Sequence, residues 1–377
     1  MAFDWSDLSS TTVQPDEVEV SFIGPGFGEC IVVHVGSGRW ITIDSCVDSQ
    51  DTSDRRPVAE RYLRSLGVSL EDQVDLVVAT HWHDDHVRGL GRLVDVCKSA
   101  RFSCANSMVR DEFLTYAEMM GSGSAATEGA KLKEFRHAIS MVESRKQAVR
   151  FATAGKIINT WAASSLAHGE TCNVRALSPS DREYQLFLTE IVASRPAPLQ
   201  PKRSAPKRTP NLVSIVLQVE FESFSILLCA DMESHHDPLR GWTAAVQEAR
   251  TAHSRAAGIV KVAHHGSQNG HHDDVWTHLL LPHPIAVVSP FNKLSDARKL
   301  PKETDLQRLK DATHSLYLTA SSKWRRDRAR DPSVERSLIE ANIEIRDLAT
   351  PIGMVRCRRK PRSDWHIEVF PSALRVT

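Results

Sequence analysis

Apolar residues in this chain fall into short runs of strand length, separated by polar turns. Val18 to Phe22 alternates apolar and polar, the period of a half-buried strand. CIVVHV (30–35) and RWITIDSC (39–46) flank Gly36-Ser37-Gly38, a hairpin signal. VDLVVA (74–79) is apolar and β-branched with almost no alternation, which predicts a strand buried on both faces. ARFSCAN and NVRALSP (173–179) read as further strands. NLVSIVLQVEFESFSILLCAD (211–231) reads as a hairpin turning near Phe221 to Phe224. GIVKVA (258–263), PIAVVSP (284–290), LYLTA (316–320) and segments near 343–345, 351–356 and 366–370 complete the strands. Helical spacing marks PVAERYLRSLGV (57–68), the residues from Gly91 to Cys97, and the stretch from Lys302 to Leu309. Two strand-rich halves with helices between them predict an α/β sandwich of two sheets with outer helices.

Three segments break the pattern. Residues 1–16 read as a polar leader. Residues 108–165 are less apolar and helical, with a glycine- and serine-rich interruption from Gly121 to Ala126. They predict a helical insertion on a single domain spanning 1–377. RPAPLQPKRSAPKRTP (195–210) combines prolines with like charges that repel, so an exposed, mobile basic loop is expected.

Composition narrows the function classes. Lys plus Arg and Asp plus Glu both number 47, so the formal net charge is zero and any attraction to nucleic acid has to come from local patches. No apolar run is long enough to cross a bilayer, and the acidic N-terminus is unlike a signal peptide. Seven scattered cysteines, several in apolar strand contexts, fit a reduced, cytoplasmic protein with no membrane partner.

The chemistry concentrates after the strand at 74–79. Thr80-His81-Trp82-His83-Asp84-Asp85-His86 carries three histidines and two aspartates within six positions. Packing does not call for such a cluster, whereas imidazoles and carboxylates together suit zinc, manganese or iron. His81 and His83 leave an extended segment on one side. Asp85 and His86 follow where the chain turns into a helix, so one short segment can serve two adjacent metals. Two distant residues occupy matching positions: Asp231 closes the apolar run SILLCA, and His264 and His265 follow the strand at 258–263. Asp44 closes another apolar run, where a carboxylate needs partners or caps a turn.

The spacing His-x-His-x-Asp-His resembles the signature of the metallo-β-lactamase superfamily. The resemblance implies that superfamily's αββα sandwich and a metal-dependent hydrolase. It implies one metal on His81 and His83, a second on Asp85, His86 and His264, and Asp231 bridging the two. Zinc is expected, one or two ions, with manganese as an alternative. Sequence does not fix which of His264 and His265 binds. His264 is favoured as the first residue after the strand, with His265 lining the substrate cleft. Asp44 would support the ligands by hydrogen bonds. The superfamily often has another histidine between the central motif and the bridging aspartate. His137 and His168 lack the context for it, leaving a water, Asn106 or Ser107 to complete the first metal's shell.

The segments GPGFGECIVVHVGSGRWITIDSC, THWHDDHVRGLG, NLVSIVLQVEFESFSILLCADME, IVKVAHHGS and IAVVSPFNK together resemble the hydrolase domain of the DNA-uptake family ComEC/Rec2 over residues 18–320, without its membrane channel. Asn211 and Ser214 match that family's Asn-Ser segment, and KLSDARKLPKE replaces its histidine-rich one, with Lys302 expected to supply the positive charge for the substrate. This resemblance implies a phosphodiesterase or nuclease in which Asp231 orients an activated water. Asp85, Asp231, Asp44 and His265 form the catalytic set and DNA or another phosphodiester is the partner. The basic loop and two arginine-rich segments, WRRDRAR (324–330) and RCRRKPR (356–362), are the expected phosphate contacts. A small-molecule esterase or lactonase of the same fold, or an inactive metal-binding module, are the alternatives. No protein partner is indicated.

Overall fold

The computed structural model describes residues 5–8, 12–24, 28–48, 54–108, 126–193, 210–291, 299–320, 352–360 and 362–376. The basic loop at 195–209, the interruption at 121–125, the segment 324–330 and the stretch near 343–345 lie outside them.

Six strands open the chain: β1 (Val18–Gly24), β2 (Cys30–Gly36), β3 (Arg39–Ile43), β4 (Val74–Ala79), β5 (Arg101–Ala105) and β6 (Arg150–Ala152). Next come β7 (Ile157–Trp161), β8 (Cys172–Ala176), β9 (Leu217–Phe221), β10 (Ser225–Leu228), β11 (Ala257–Lys261), β12 (Leu280–Val288) and β13 (Ser315–Leu318). β14 (Gly353–Arg359), β15 (His366–Val369) and β16 (Leu374–Val376) close it. They form two eight-stranded mixed sheets, ordered β15-β14-β1-β2-β3-β4-β5-β6 and β16-β13-β12-β11-β10-β9-β8-β7. This is the metallo-β-lactamase-like αββα sandwich.

The continuous apolar run of β4 follows from its place. It pairs in parallel with β3 on one side and β5 on the other, and five of its six residues are buried. Period-2 alternation explains the layering of the second sheet. Ile226, Leu228, Ile259, Val287 and Tyr317 point into the core between the sheets. Their neighbours Leu227, Val260, Ala286, Val288, Leu316 and Leu318 join a separate cluster with Trp242, Val246 and Leu309. Those last three lie on the outer helices Gly241–Thr251 and Glu303–Ala312. Helices Val58–Ser65, Leu90–Val96 and Ala126–Ser144 cover the first sheet. Gly91 lies so close to His137 that a Cβ there would stand 2.3 Å from its ring.

The insertion expected over 108–165 is only partly helical. Ala126–Ser144 is a helix, but β6 and β7 follow within the same range and form an edge of each sheet. Edge strands of three and five residues carry too few apolar positions to declare a period. The N-terminal segment is also not purely polar surface, because Leu8 is buried in the core cluster between the sheets and their helices. No described helix is long and apolar enough to cross a membrane.

Candidate metal centre

The parallel pairings β3-β4 and β10-β11-β12 bring the C-terminal ends of those strands to one edge of the sandwich. The site is built there. His81, His83, Asp85 and His86 follow β4, Asp231 follows β10, His265 follows β11 and Asp44 follows β3. Three groups of donors converge among the described residues: His81, His83 and Asp231; Asp85, His86, Asp231 and His265; and, behind them, Glu29, Asp44 and His86. Asp231 belongs to the first two. Its Oδ2 lies 3.8 Å from His81 Nε2 and 3.3 Å from His265 Nε2, and its Oδ1 lies 3.4 Å from His86 Nε2. Asp85 Oδ2 lies 3.2 Å from His265 Nε2 and 3.7 Å from His86 Nε2. His81 Nε2 and His83 Nδ1 are 3.2 Å apart.

Each buried imidazole is turned by a partner on its other nitrogen. Asp44 takes the Thr80 amide and hydroxyl hydrogens at 2.7 Å each, and the His86 Nδ1 hydrogen at 2.7 Å. With its own hydrogen given to Asp44, the Thr80 hydroxyl accepts from His81 Nδ1 at 3.0 Å. His265 Nδ1 donates to the Ser289 carbonyl at 2.8 Å. All three therefore aim Nε2 into the cluster, as ligand imidazoles are normally held. Asp44 thus lies behind the cluster and orients two of its histidines.

The donor set fits a metal. His86 Nε2 and Asp231 Oδ1 are buried and make no hydrogen bond, although they face each other. Burying such atoms is costly unless an ion takes their lone pairs. The mixture of imidazole and carboxylate suits a divalent transition metal and does not choose between zinc and manganese.

The backbone is strained around the cluster. Asp44, Ala230, His264 and His265 all adopt left-handed conformations, with φ of 59°, 45°, 44° and 54°. Each costs about 1–3 kcal/mol outside glycine, which only a surrounding fold can hold in place.

That turn overturns the expected choice of histidine. β11 ends at Lys261, and a tight turn over Ala263–Gly266 sends the two histidines in different directions. His265 enters the cluster. His264 instead sits 3.2 Å from Glu233 Oε1 through Nδ1, and its Nε2 takes the Asn211 amide hydrogen at 3.2 Å. Position relative to the strand end did not reveal this, because the αL residues decide it. Accordingly, His265→Ala should lower both metal content and turnover strongly, and His264→Ala should keep the metal. Elemental analysis of the two variants checks the assignment; equal metal loss in both would contradict it.

The remaining candidates are placed as follows. Among the described residues no further histidine joins the first group. His137 is exposed on its helix, and His168 Nε2 donates to the Val35 carbonyl at 2.8 Å. Asn106 lies in a short 3-10 turn after β5, and the Ser107 side chain is outside the described residues. Asn211 is buried and donates to Glu233 at 2.6 Å, while Ser214 Oγ is buried with no hydrogen-bond partner among the described residues. Lys302 is exposed at the start of the helix Glu303–Ala312. In RCRRKPR, Arg356 is fully buried against Glu368, and Arg358 is paired with Glu19 at 2.7 Å, so these two are structural rather than phosphate contacts.

Sequence reasoning missed an ion pair beneath the cluster. Glu29 Oε2 and Lys261 Nζ are 2.6 Å apart and fully buried. Gly28, at φ 103°, brings Glu29 in: the Glu29 backbone N–H donates to the Asp85 carbonyl at 2.9 Å, and a Cβ on Gly28 would stand 2.7 Å from Cys46. The available signal was a lysine inside the apolar run GIVKVA.

Charge in the cluster is finely balanced. Burial pushes the His265 imidazole down, but Asp231 and Asp85 overcome it and hold it up at about 10. His86 is raised for the same reason, against burial, by Asp231, Glu29, Asp44 and Asp85. His81 goes the other way, lowered by burial and by His86 and His83, so its lone pair is free. Burial opposes the charge on Asp85 and Asp231, yet His86 and His265 hold both carboxyls below the usual range. Protons thus stand in for cations. A raised imidazole stabilises the fold fully below its ordinary value of 6.5, and that contribution is lost as pH rises towards about 10. Metal-free protein should therefore show a falling urea midpoint from about pH 6.5 to 10, and metal-loaded protein a flatter one. A flat or rising midpoint in the metal-free protein would contradict this.

The family model of the Metallo-beta-lactamase superfamily matches residues 23–109, which contain β2 to β5 and the whole His81–His86 segment. Among solved structures, the chain is similar to the metallo-beta-lactamase fold protein YhfI of Bacillus subtilis, at 10% identity over 65% of this chain and 70% of that one, with a TM-score of 0.31. It is also similar to a HARLDQ-motif mutant metallo-beta-lactamase of Cronobacter sakazakii (13%, 62% and 70%, TM-score 0.30). A putative metallo-beta-lactamase of Thermotoga maritima follows (12%, 54% and 68%, TM-score 0.28). No curated protein matches the chain. A metallo-β-lactamase fold bearing a His/Asp cluster of this kind suggests a metal-dependent hydrolase that binds a divalent ion.

Proposed function

We propose that the protein is a metal-dependent phosphodiesterase of the nuclease class, with one or two zinc or manganese ions held by His81, His83, Asp85, His86, Asp231 and His265. The observation that carries the reading is Asp231, shared by two ligand groups at one edge of the sandwich. Metals bound there would lower the pKa of a water and polarise a phosphoryl oxygen. Asp231 holds both groups in register, and Asp44 fixes the rings of His81 and His86 behind it. With three donors, the first group leaves a position for water or substrate. His83 is only half-buried and marks the open side of the cluster.

The chain offers no thiol nucleophile to compete with water. All seven cysteines are buried, and burial pushes every thiol up. The phosphodiester class rests on the resemblance of the five motif segments to the DNA-uptake family and on the basic sequence at 195–208.

The experiment has three readouts. Elemental analysis should find about one to two transition-metal ions per chain. The loaded protein should hydrolyse a bis-aryl phosphodiester and DNA. Replacing Arg195, Lys202, Arg203, Lys207 and Arg208 by serine should flatten the salt dependence of DNA binding and spare the small substrate. Hydrolysis of lactones or small esters, with no DNA or RNA degraded under zinc, manganese or magnesium, would replace the reading with the small-molecule one. Absence of metal after reconstitution would sink both.

A further inference from the structure

A cavity of about 1020 Å³ lies far from the metal cluster. It opens where β11, β12 and β13 begin, at Gly258, Leu281 and Ser315, whereas the cluster lies where the parallel strands β10 and β11 end. One strand length therefore separates them, about 15 Å at ~3.3 Å per residue. The other sheet contributes Arg359, which pairs with Val18 at the start of β1, and the connection before β15 contributes Trp365.

Among the described residues lining this cavity are three arginines, Arg255, Arg359 and Arg362, and one carboxylate, Asp364. Among the described residues none of these four makes an ion pair. This contrasts with Arg356 and Arg358 of the same basic segment, which are neutralised internally. The wall is aromatic as well. The Arg359 guanidinium lies 4.2 Å from the Phe224 ring centre and 5.3 Å from that of Trp365, and the two rings meet edge to face. The Trp365 indole N–H faces Gly258 and finds no acceptor among the described residues. Gly258 has no side chain to fill the space. A net cationic cavity with a planar stacking wall and an idle donor matches a ligand that is both anionic and planar.

We propose that this cavity is a second binding site, for a nucleotide unit: a planar base stacked on the Arg359–Trp365 wall, its phosphates on Arg255 and Arg362. The unit can arrive as a free nucleotide or as part of a strand. The site stands apart from the hydrolytic reading and does not depend on it.

The test uses the full chain with adenosine triphosphate, inorganic triphosphate and a short oligothymidylate as probes, titrated by calorimetry and by tryptophan fluorescence. The variant Arg255→Glu/Arg362→Glu changes exposed side chains only and should fold. It is expected to weaken adenosine triphosphate at least tenfold, with turnover of a small phosphodiester unchanged. Trp365→Ala should weaken adenosine triphosphate more than inorganic triphosphate, because only the former has a base to stack. Oligothymidylate binding more tightly than adenosine triphosphate identifies a strand as the source, and the reverse order a free nucleotide. No binding of either, or binding that the charge reversal leaves intact, overturns the proposal.

Discussion

Asp231→Ala is expected to fold, to bind little metal and to lose hydrolysis by on the order of 10³-fold or more, the equivalent of about 4 kcal/mol of transition-state stabilisation. The size follows from position. Among the described residues Asp231 is the side chain common to the His81–His83 group and the Asp85–His86–His265 group, so its loss loosens both at once. Folding should survive because the carboxylate lies beyond the end of β10, and the core between the sheets does not include it. Asp44→Asn is the control. Asp44 touches the ligands only through Thr80 and His86, and orienting partners of this kind typically contribute ~10–100-fold. Turnover and elemental analysis on the same preparations decide the matter. Equal activity of wild type and Asp231→Ala would remove the cluster from the mechanism.

Lys261→Met should be the most destabilising single change near the site, by about 3–5 kcal/mol, because it takes the close partner from buried Glu29 and leaves it only His86, at 3.8 Å. Burial alone would push the Lys261 amine down, but Glu29 and Asp231 raise it, so the amine keeps its proton. The amine also sits 3.4 Å from the Ala230 carbonyl, at the left-handed residue that presents Asp231. Metal retention should therefore weaken along with stability. Adding Glu29→Gln removes that carboxylate, so the double variant should recover part of the loss, a non-additivity readable from urea midpoints. A double variant no better than Lys261→Met would show that the two residues act separately.

The sequence carried the α/β sandwich because the two periodicities it depends on are local. The unbroken run of β4 reports neighbours on both sides, and the alternation in β10 to β13 reports two different cores. It also carried most of the cluster, since His81, His83, Asp85 and His86 are neighbours in the chain and Asp231 closes an apolar run. Edge strands β6 and β7 were lost inside an expected insertion, being too short to show a period.

What tertiary structure alone decided was direction. Two adjacent histidines are equivalent in sequence, and only two consecutive left-handed residues turn His265 inward and His264 towards Glu233. The same holds for charge. Lys261 and Glu29 stand far apart along the chain, and Arg356 and Arg359 three residues apart look alike. Yet burial pairs the first two beneath the metal cluster, neutralises Arg356 on Glu368, and leaves Arg359 facing an open cavity. Strand patterns follow from each residue's nearest neighbours along the chain. The partner of a buried charge, and the aim of a ligand, depend on which strand ends the fold brings together, because the cost of burying a charge is met only by groups that meet it in space.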